Sequence, residues 1–114
     1  MIGAAFKRSE GKEMAMPKFA RVMRTNLKKA TIDEAAAEWH RHIAPFKKTG
    51  LERAYMLVDR STGAYLSVTI WENKEAQTRN VISPGQVAGR TSMTEKYFEA
   101  APTPGTFEIV SEVY

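Results

Sequence analysis

The chain contains no cysteine. That excludes a disulfide framework, thiolate metal sites and a cysteine nucleophile. Its two histidines, His40 and His42, are the only side chains that ordinarily titrate near neutrality. Nothing else in the sequence has metal-ligand spacing around them, so no metal is expected. No apolar run approaches the ~18 residues of a membrane helix. A Gly-rich phosphate loop, a nucleophile elbow and a paired acidic motif are all missing. There is no internal repeat and no low-complexity tract.

What is present is enough for one domain: 114 residues, 43% apolar and 10% aromatic. The net charge is +4 and the pI about 9.5, which raises the question of nucleic acid. The charge is local. Residues 1–30 hold eight basic and two acidic side chains, whereas residues 31–114 hold nine basic and eleven acidic. The basic segment reads as a phosphate-binding patch or, more plainly, as a solvated strand edge and loop. Residues 1–16 (MIGAAFKRSEGKEMAM) form an N-terminal extension of mixed composition. They lack the apolar core of ~7–15 residues of a secretory signal, and Glu10 and Glu13 are unlike a transit peptide. The sequence therefore predicts a cytoplasmic protein whose single domain spans residues 17–114.

Lys18 to Thr25 alternates as a strand, with Phe19, Arg21, Met23 and Thr25 on one face and Ala20, Val22 and Arg24 on the other. Thr31 to Lys48 reads as a helix. Ile32, Ala35, Ala36, Trp39, Ile43 and Phe46 make one apolar stripe, and Glu34, Glu38, Arg41 and Lys48 fall on the outer face. Thr31 and Glu34 have capping-box spacing. Pro45 should loosen the last turn and Gly50 should end it. Leu51–Arg60 and Ala64–Glu72 read as a hairpin about the turn at Ser61-Thr62-Gly63. Asn73 can cap a short helix, and Ser83-Pro84-Gly85-Gln86 starts another, predicted to run to about Ala100 with an interruption at Gly89. Residues 101–105 read as a loop and Thr106–Tyr114 as a last strand.

The order β-α-β-β-α-β predicts an α+β, ferredoxin-like fold, a four-stranded antiparallel sheet with its helices on one face. The strands are apolar on both faces, so the uncovered face needs a partner. A homodimer through the sheets is the economical answer. RNA-binding domains share this topology but carry a K/R-G-F/Y-type stacking motif on the third strand. AYLSVTIW has none, and Tyr65 and Trp71 stand about 20 Å apart at ~3.3 Å per residue. No nucleic-acid partner and no membrane partner is expected.

The strand FARVMRT, the helix with its late Pro45 and the hairpin LVDRSTGAYLSVTIWEN together resemble the antibiotic-biosynthesis-monooxygenase-like dimeric α+β barrels. The resemblance covers roughly residues 17–114. Its most specific element is the D-R-x-T-G turn (Asp59, Arg60, Thr62, Gly63) followed by Leu66 to Asn73. It implies a homodimeric barrel and a pocket between sheet and helices. The family includes cofactor-independent oxygenases of quinols and polycyclic aromatics, haem-degrading enzymes, and many proteins without an established activity. The haem-degrading branch pairs a first-strand Asn and a third-strand Trp with a His about ten residues later. Here that last position is Val81, and Asn26 lies past the predicted first strand. No cofactor is therefore expected.

Trp71 and His42 are the candidate catalytic residues. An indole can stack on a flat ligand and donate its N–H, and an imidazole at the edge of the helical stripe can act as a base toward a phenol. Tyr65, Tyr97, Arg24 and Asn80 are the candidate ligand-binding residues: two phenols, a strand-one cation and an amide near the expected pocket mouth. Each has a plainer reading as core packing or hydrated rim. Three functions follow: a cofactor-independent oxygenase acting on an electron-rich aromatic, a non-catalytic small-molecule binder, or a structural dimerisation module.

Overall fold

The computed structural model describes residues 17–114. The expected N-terminal extension, residues 1–16, lies outside the described residues. Alternating strands build one antiparallel sheet. Its strands are β1 (Phe19–Asn26), β2 (Leu51–Val58), β3 (Ala64–Trp71) and β4 (Thr103–Glu108), in the order β2-β3-β1-β4. In β1 and β3, Arg21 pairs with Thr69 and Met23 with Ser67. The helices α1 (Ile32–Ile43), α2 (Lys74–Val81) and α3 (Pro84–Lys96) pack on one side. This is the α+β ferredoxin-like arrangement read from the sequence.

Several local expectations hold for the physical reasons given. Asn73 and Ser83 cap α2 and α3 by accepting from the amides of Ala76 and Gln86. After Ile43 the chain tightens into a 3₁₀ segment, Ala44–Thr49, around Pro45. Gly50 then takes φ 115°, and a Cβ there would stand 2.7 Å from that of Ala76. Only glycine satisfies both demands. In the hairpin, Asp59 Oδ1 accepts from the amide and hydroxyl of Ser61 at 2.9 and 2.6 Å, a self-capped turn.

Five expectations are corrected. The capping box does not form. Thr31 closes a 3₁₀ turn, Lys29–Thr31, and its hydroxyl donates to the Lys28 carbonyl at 2.7 Å instead. Gly89 does not interrupt α3. The helix runs through it and ends at Lys96, where residues 97–99 turn to bond β1 and the loop after it: Lys28 N–H to the Tyr97 carbonyl, and Glu99 N–H to that of Asn26. The last strand begins earlier and ends sooner than predicted. Met23 faces Pro104 and Val22 faces Gly105, because an edge strand tolerates a residue without an N–H. Residues 109–114 have no regular structure, although the Ile109 amide still donates to the Lys18 carbonyl. Finally, Glu38 is not on an outer face; it is 5% exposed, covered by α3.

The core has two parts. Leu27, Ile32, Ala35, Tyr65, Met93, Tyr97 and Phe98 form one; Leu51, Trp71 and Ala76 form the other. The strand faces divide unevenly. Tyr65, Ser67, Thr69 and Trp71 of β3 are buried under the helices, while Leu66, Val68 and Ile70 lie half-buried on the open side. The aliphatic face is the one without helices.

Candidate functional site

Between the two core clusters lies a cavity with about 60 Å³ open to the centre of a water molecule. Its floor is Arg21 and Met23 of β1 with Tyr65, Ser67 and Thr69 of β3. One wall is α1, through Trp39, His42 and Ile43. The other is α3, through Gln86, Gly89, Arg90 and Met93, one face at helical spacing. Phe98 and Pro102 close an end. The space exists because β3 places small hydroxyl residues, Ser67 and Thr69, where a packed sheet would carry bulk.

Both hydroxyls are oriented by tryptophans. Trp39 donates its indole N–H to Ser67 Oγ at 3.1 Å, and Trp71 donates to Thr69 Oγ1 at 2.9 Å. Trp39 itself lines the cavity. Trp71 does not; it is fully buried, packed edge-on to Phe46 with centroids 6.4 Å apart. The expectation that Trp71 stacks on a ligand is therefore corrected. It stands one step behind the surface, bonded to Thr69.

His42 reaches the cavity, and its partner is the residue the sequence placed outside. His42 Nε2 lies 3.2 Å from Glu38 Oε2. Glu38 also accepts from Ser92 Oγ at 2.6 Å, Lys96 Nζ at 3.0 Å and the Tyr97 hydroxyl at 3.0 Å. Those bonds, with Ser92 and Lys96 foremost, outweigh burial and hold its carboxyl down at about 2. An ionised carboxylate only accepts, so His42 Nε2 is the donor in this contact and Nδ1 stands outside it. The ring lies against Gly89, where a Cβ would stand 3.1 Å from Cγ and 3.3 Å from Nδ1. A bare α-carbon lets α1 and α3 approach and hold the imidazole.

The remaining candidates divide. Tyr65 lines the cavity, tilted on Phe98 at 4.8 Å, and burial pushes its phenol up to about 12. Tyr97 does not line it. Burial first, then its bond to Glu38, pushes its phenol up to about 12, and it supports the carboxylate from behind. Arg24 is on the wrong face, exposed on the open side of the sheet opposite Leu66. Its neighbour three residues earlier, Arg21, has the parity that reaches the cavity. Asn80 is spent on structure, donating to the Thr49 and Ala76 carbonyls and accepting from the Thr49 hydroxyl.

Sequence reasoning missed Arg21 as a preferred residue, along with Trp39, Glu38, Gln86 and Arg90. The available signals were strand parity for Arg21 and the Glu38/His42 spacing of one helical turn.

The chain has a four-stranded antiparallel sheet covered on one face by helices, with a cavity between the two layers, the fold of the antibiotic-biosynthesis-monooxygenase-like proteins. The structure is similar to that of SnoaB, a cofactor-independent oxygenase from Streptomyces nogalater, with a TM-score of 0.69 and 20% identity over 85% of this chain and 97% of that one. It is similar also to candidate antibiotic biosynthesis monooxygenases from Caulobacter crescentus (TM-score 0.70, 14% identity, 89% and 99% covered) and Nitrosomonas europaea (0.70, 5%, 87% and 96%). No family model matches the sequence, and no curated protein matches it. Among the described residues, no helix is long and apolar enough to cross a membrane.

Proposed function

We propose that the cavity binds a small, flat, electron-rich aromatic, of quinol or polyketide-like type, and that the protein is a cofactor-independent monooxygenase-like enzyme. The observation that carries this is one cavity with an aromatic wall (Trp39, Tyr65), hydroxyls fixed by indoles (Ser67, Thr69) and an imidazole held by a buried carboxylate. His42 takes the proton from an acidic substrate C–H or O–H as general base, Glu38 stabilises the imidazolium that forms, and Ser67 offers its hydroxyl proton to the substrate oxyanion. The substrate carbanion reduces dioxygen directly. In an anthrone, the ring CH₂ becomes C=O, one oxygen atom staying in the product and the other leaving as water. The apolar lining keeps bulk water from the anion.

The alternative is a non-catalytic binder using the same cavity. What favours it is that Trp71 stands outside the cavity and that the His42 ring is packed so close to Gly89 that a Cβ there would stand 3.1 Å from its Cγ. Oxygen-electrode assays with dithranol separate the two. The oxygenase reading expects uptake that falls at least about tenfold in His42→Ala. Saturable dithranol binding with no uptake above the protein-free rate supports the binder and sinks the enzyme.

We further propose that the open sheet face seals a homodimer. Tyr55, Leu57 and Phe107 are 46%, 48% and 53% exposed there, beside the half-buried Leu66, Val68 and Ile70. At roughly 1 kcal/mol per half-exposed apolar side chain, covering them stabilises a pair by several kcal/mol. Sedimentation at micromolar concentration is expected to show twice the 12.8 kDa chain mass; a single species at the chain mass rejects the dimer.

A further inference from the structure

Resting on the reading of this cavity as a ligand site, we propose that its preferred ligands are acids: flat aromatics bearing a carboxylate, held by Arg21 and Arg90 as a paired guanidinium clamp. The two arginines come from different elements, β1 and α3, and converge on one cavity. No carboxylate lines that cavity. Among the described residues neither arginine forms an ion pair or a side-chain hydrogen bond, although Glu95 shares the adjoining surface groove with both. Two like charges in a partly desolvated site repel, and each loses hydration. Burial lowers both pKa values, and for Arg21 the Arg90 charge adds to it. The guanidinium nonetheless stays charged in proteins. Such a pair makes no ion-pair contact among the described residues, and a ligand carboxylate supplies one with the planar, two-oxygen geometry that a guanidinium fork matches.

The rest of the wall agrees with an acid at this end. Gln86 lies one helical turn before Arg90 and faces the same space, and the Ser67 hydroxyl keeps a proton to donate after accepting from Trp39. Apolar surface from Met23, Tyr65 and Met93 is left for the ring. The cavity thus offers cationic groups for the acid and apolar surface for the ring, with the His42 imidazole held beside Gly89, the neighbour of Arg90.

The test uses calorimetric titration of the full chain with 2-naphthoate and with 2-naphthol, which present the same ring with and without the carboxylate. Naphthoate is expected to bind about tenfold more tightly, the size of one good charge-assisted contact. Arg21→Gln and Arg90→Gln should each weaken naphthoate several-fold. The double variant should erase the preference while naphthol affinity stays within about twofold, which also shows that the fold persists. Without ligand, the double variant should melt at or above the wild-type temperature, because like-charge repulsion has been removed. Equal binding of the two probes, a preference that survives both substitutions, or a double variant that melts well below wild type overturns the proposal. Oxygen uptake with neutral dithranol is read separately. Uptake without acid preference overturns the clamp alone, and acid preference without uptake overturns only the enzyme.

Discussion

Glu38→Gln tests the hub that holds the site together. The carboxylate is 5% exposed and gathers Ser92, Lys96, Tyr97 and His42, tying α1 to α3. Glutamine keeps the shape and one accepting oxygen but loses the charge. Bonds to a charged acceptor contribute about 1.5–3 kcal/mol each when taken alone. Here they share one group and Lys96 is largely solvent-exposed, so about 2 kcal/mol is expected for the substitution, a fall in Tm of roughly 10 °C for a domain of this size. The pH dependence gives the sharper assay. Glu38 has a folded value of about 2 against an ordinary 4.5. Its contribution is therefore complete above about 4.5, shrinks as the pH falls, and is gone near 2. Urea unfolding of wild type and variant at fixed protein concentration should differ most at neutral pH and converge on acidification. Asp33 and Asp59, also held low by their hydrogen bonds, titrate in both proteins and cancel. A difference that stays constant from neutrality down to about pH 3 would falsify the assignment of a buried, ionised Glu38.

Other substitutions probe neighbouring parts. Gly89→Ala should change stability by less than about 1 kcal/mol, since better helix propensity offsets the crowding. It should nonetheless shift the His42 ring resonances and weaken aromatic binding, because the new Cβ meets Cγ at 3.1 Å; unchanged imidazole signals rule out the contact. Trp71→Phe should cost about 2 kcal/mol by loss of packing and of the bond to Thr69, measured by denaturant midpoint, and should weaken ligand binding only modestly; loss of binding with full stability would restore Trp71 to direct contact. Val68→Glu, on the open face opposite Tyr55, should yield monomers in sedimentation with α1 and α3 still folded by circular dichroism.

The fold was legible because its signals are local and periodic. Alternation in β1 and β3, the Asp59-to-Gly63 turn and the caps at Asn73 and Ser83 each act through nearest neighbours. What failed needed knowledge of a second element. Thr31 and Glu34 have the spacing of a capping box, but the chain enters the helix through a 3₁₀ turn, so the hydroxyl is used one step earlier. Residues 103–105 look like a loop until β1 is placed beside them as a partner. Glu38 looks solvent-facing on a wheel drawn for a helix with one neighbour. Yet α1 has two, the sheet and α3, and the side between them carries Glu38 and His42.

The same point explains the candidate site. Sequence reading favours large aromatic and hydrogen-bonding side chains, so it chose Trp71, Tyr97 and Asn80, all of which the structure uses for support. A cavity is made by what is small. Ser67 and Thr69 on the buried face of β3 leave the volume, and Gly89 sets the helix separation that brings His42 over it. Strand parity then decides the charge: an arginine three residues away from another must lie on the opposite face, so Arg21 and Arg24 cannot both serve. Once Tyr65 and Ser67 are assigned to the covered face, pairing of β1 with β3 fixes Arg21 inside and Arg24 outside. The charge that β1 brings to the cavity is thus set by register: a one-residue slip of β1 would take Arg21 away from Arg90 and expose it on the face proposed to seal the dimer.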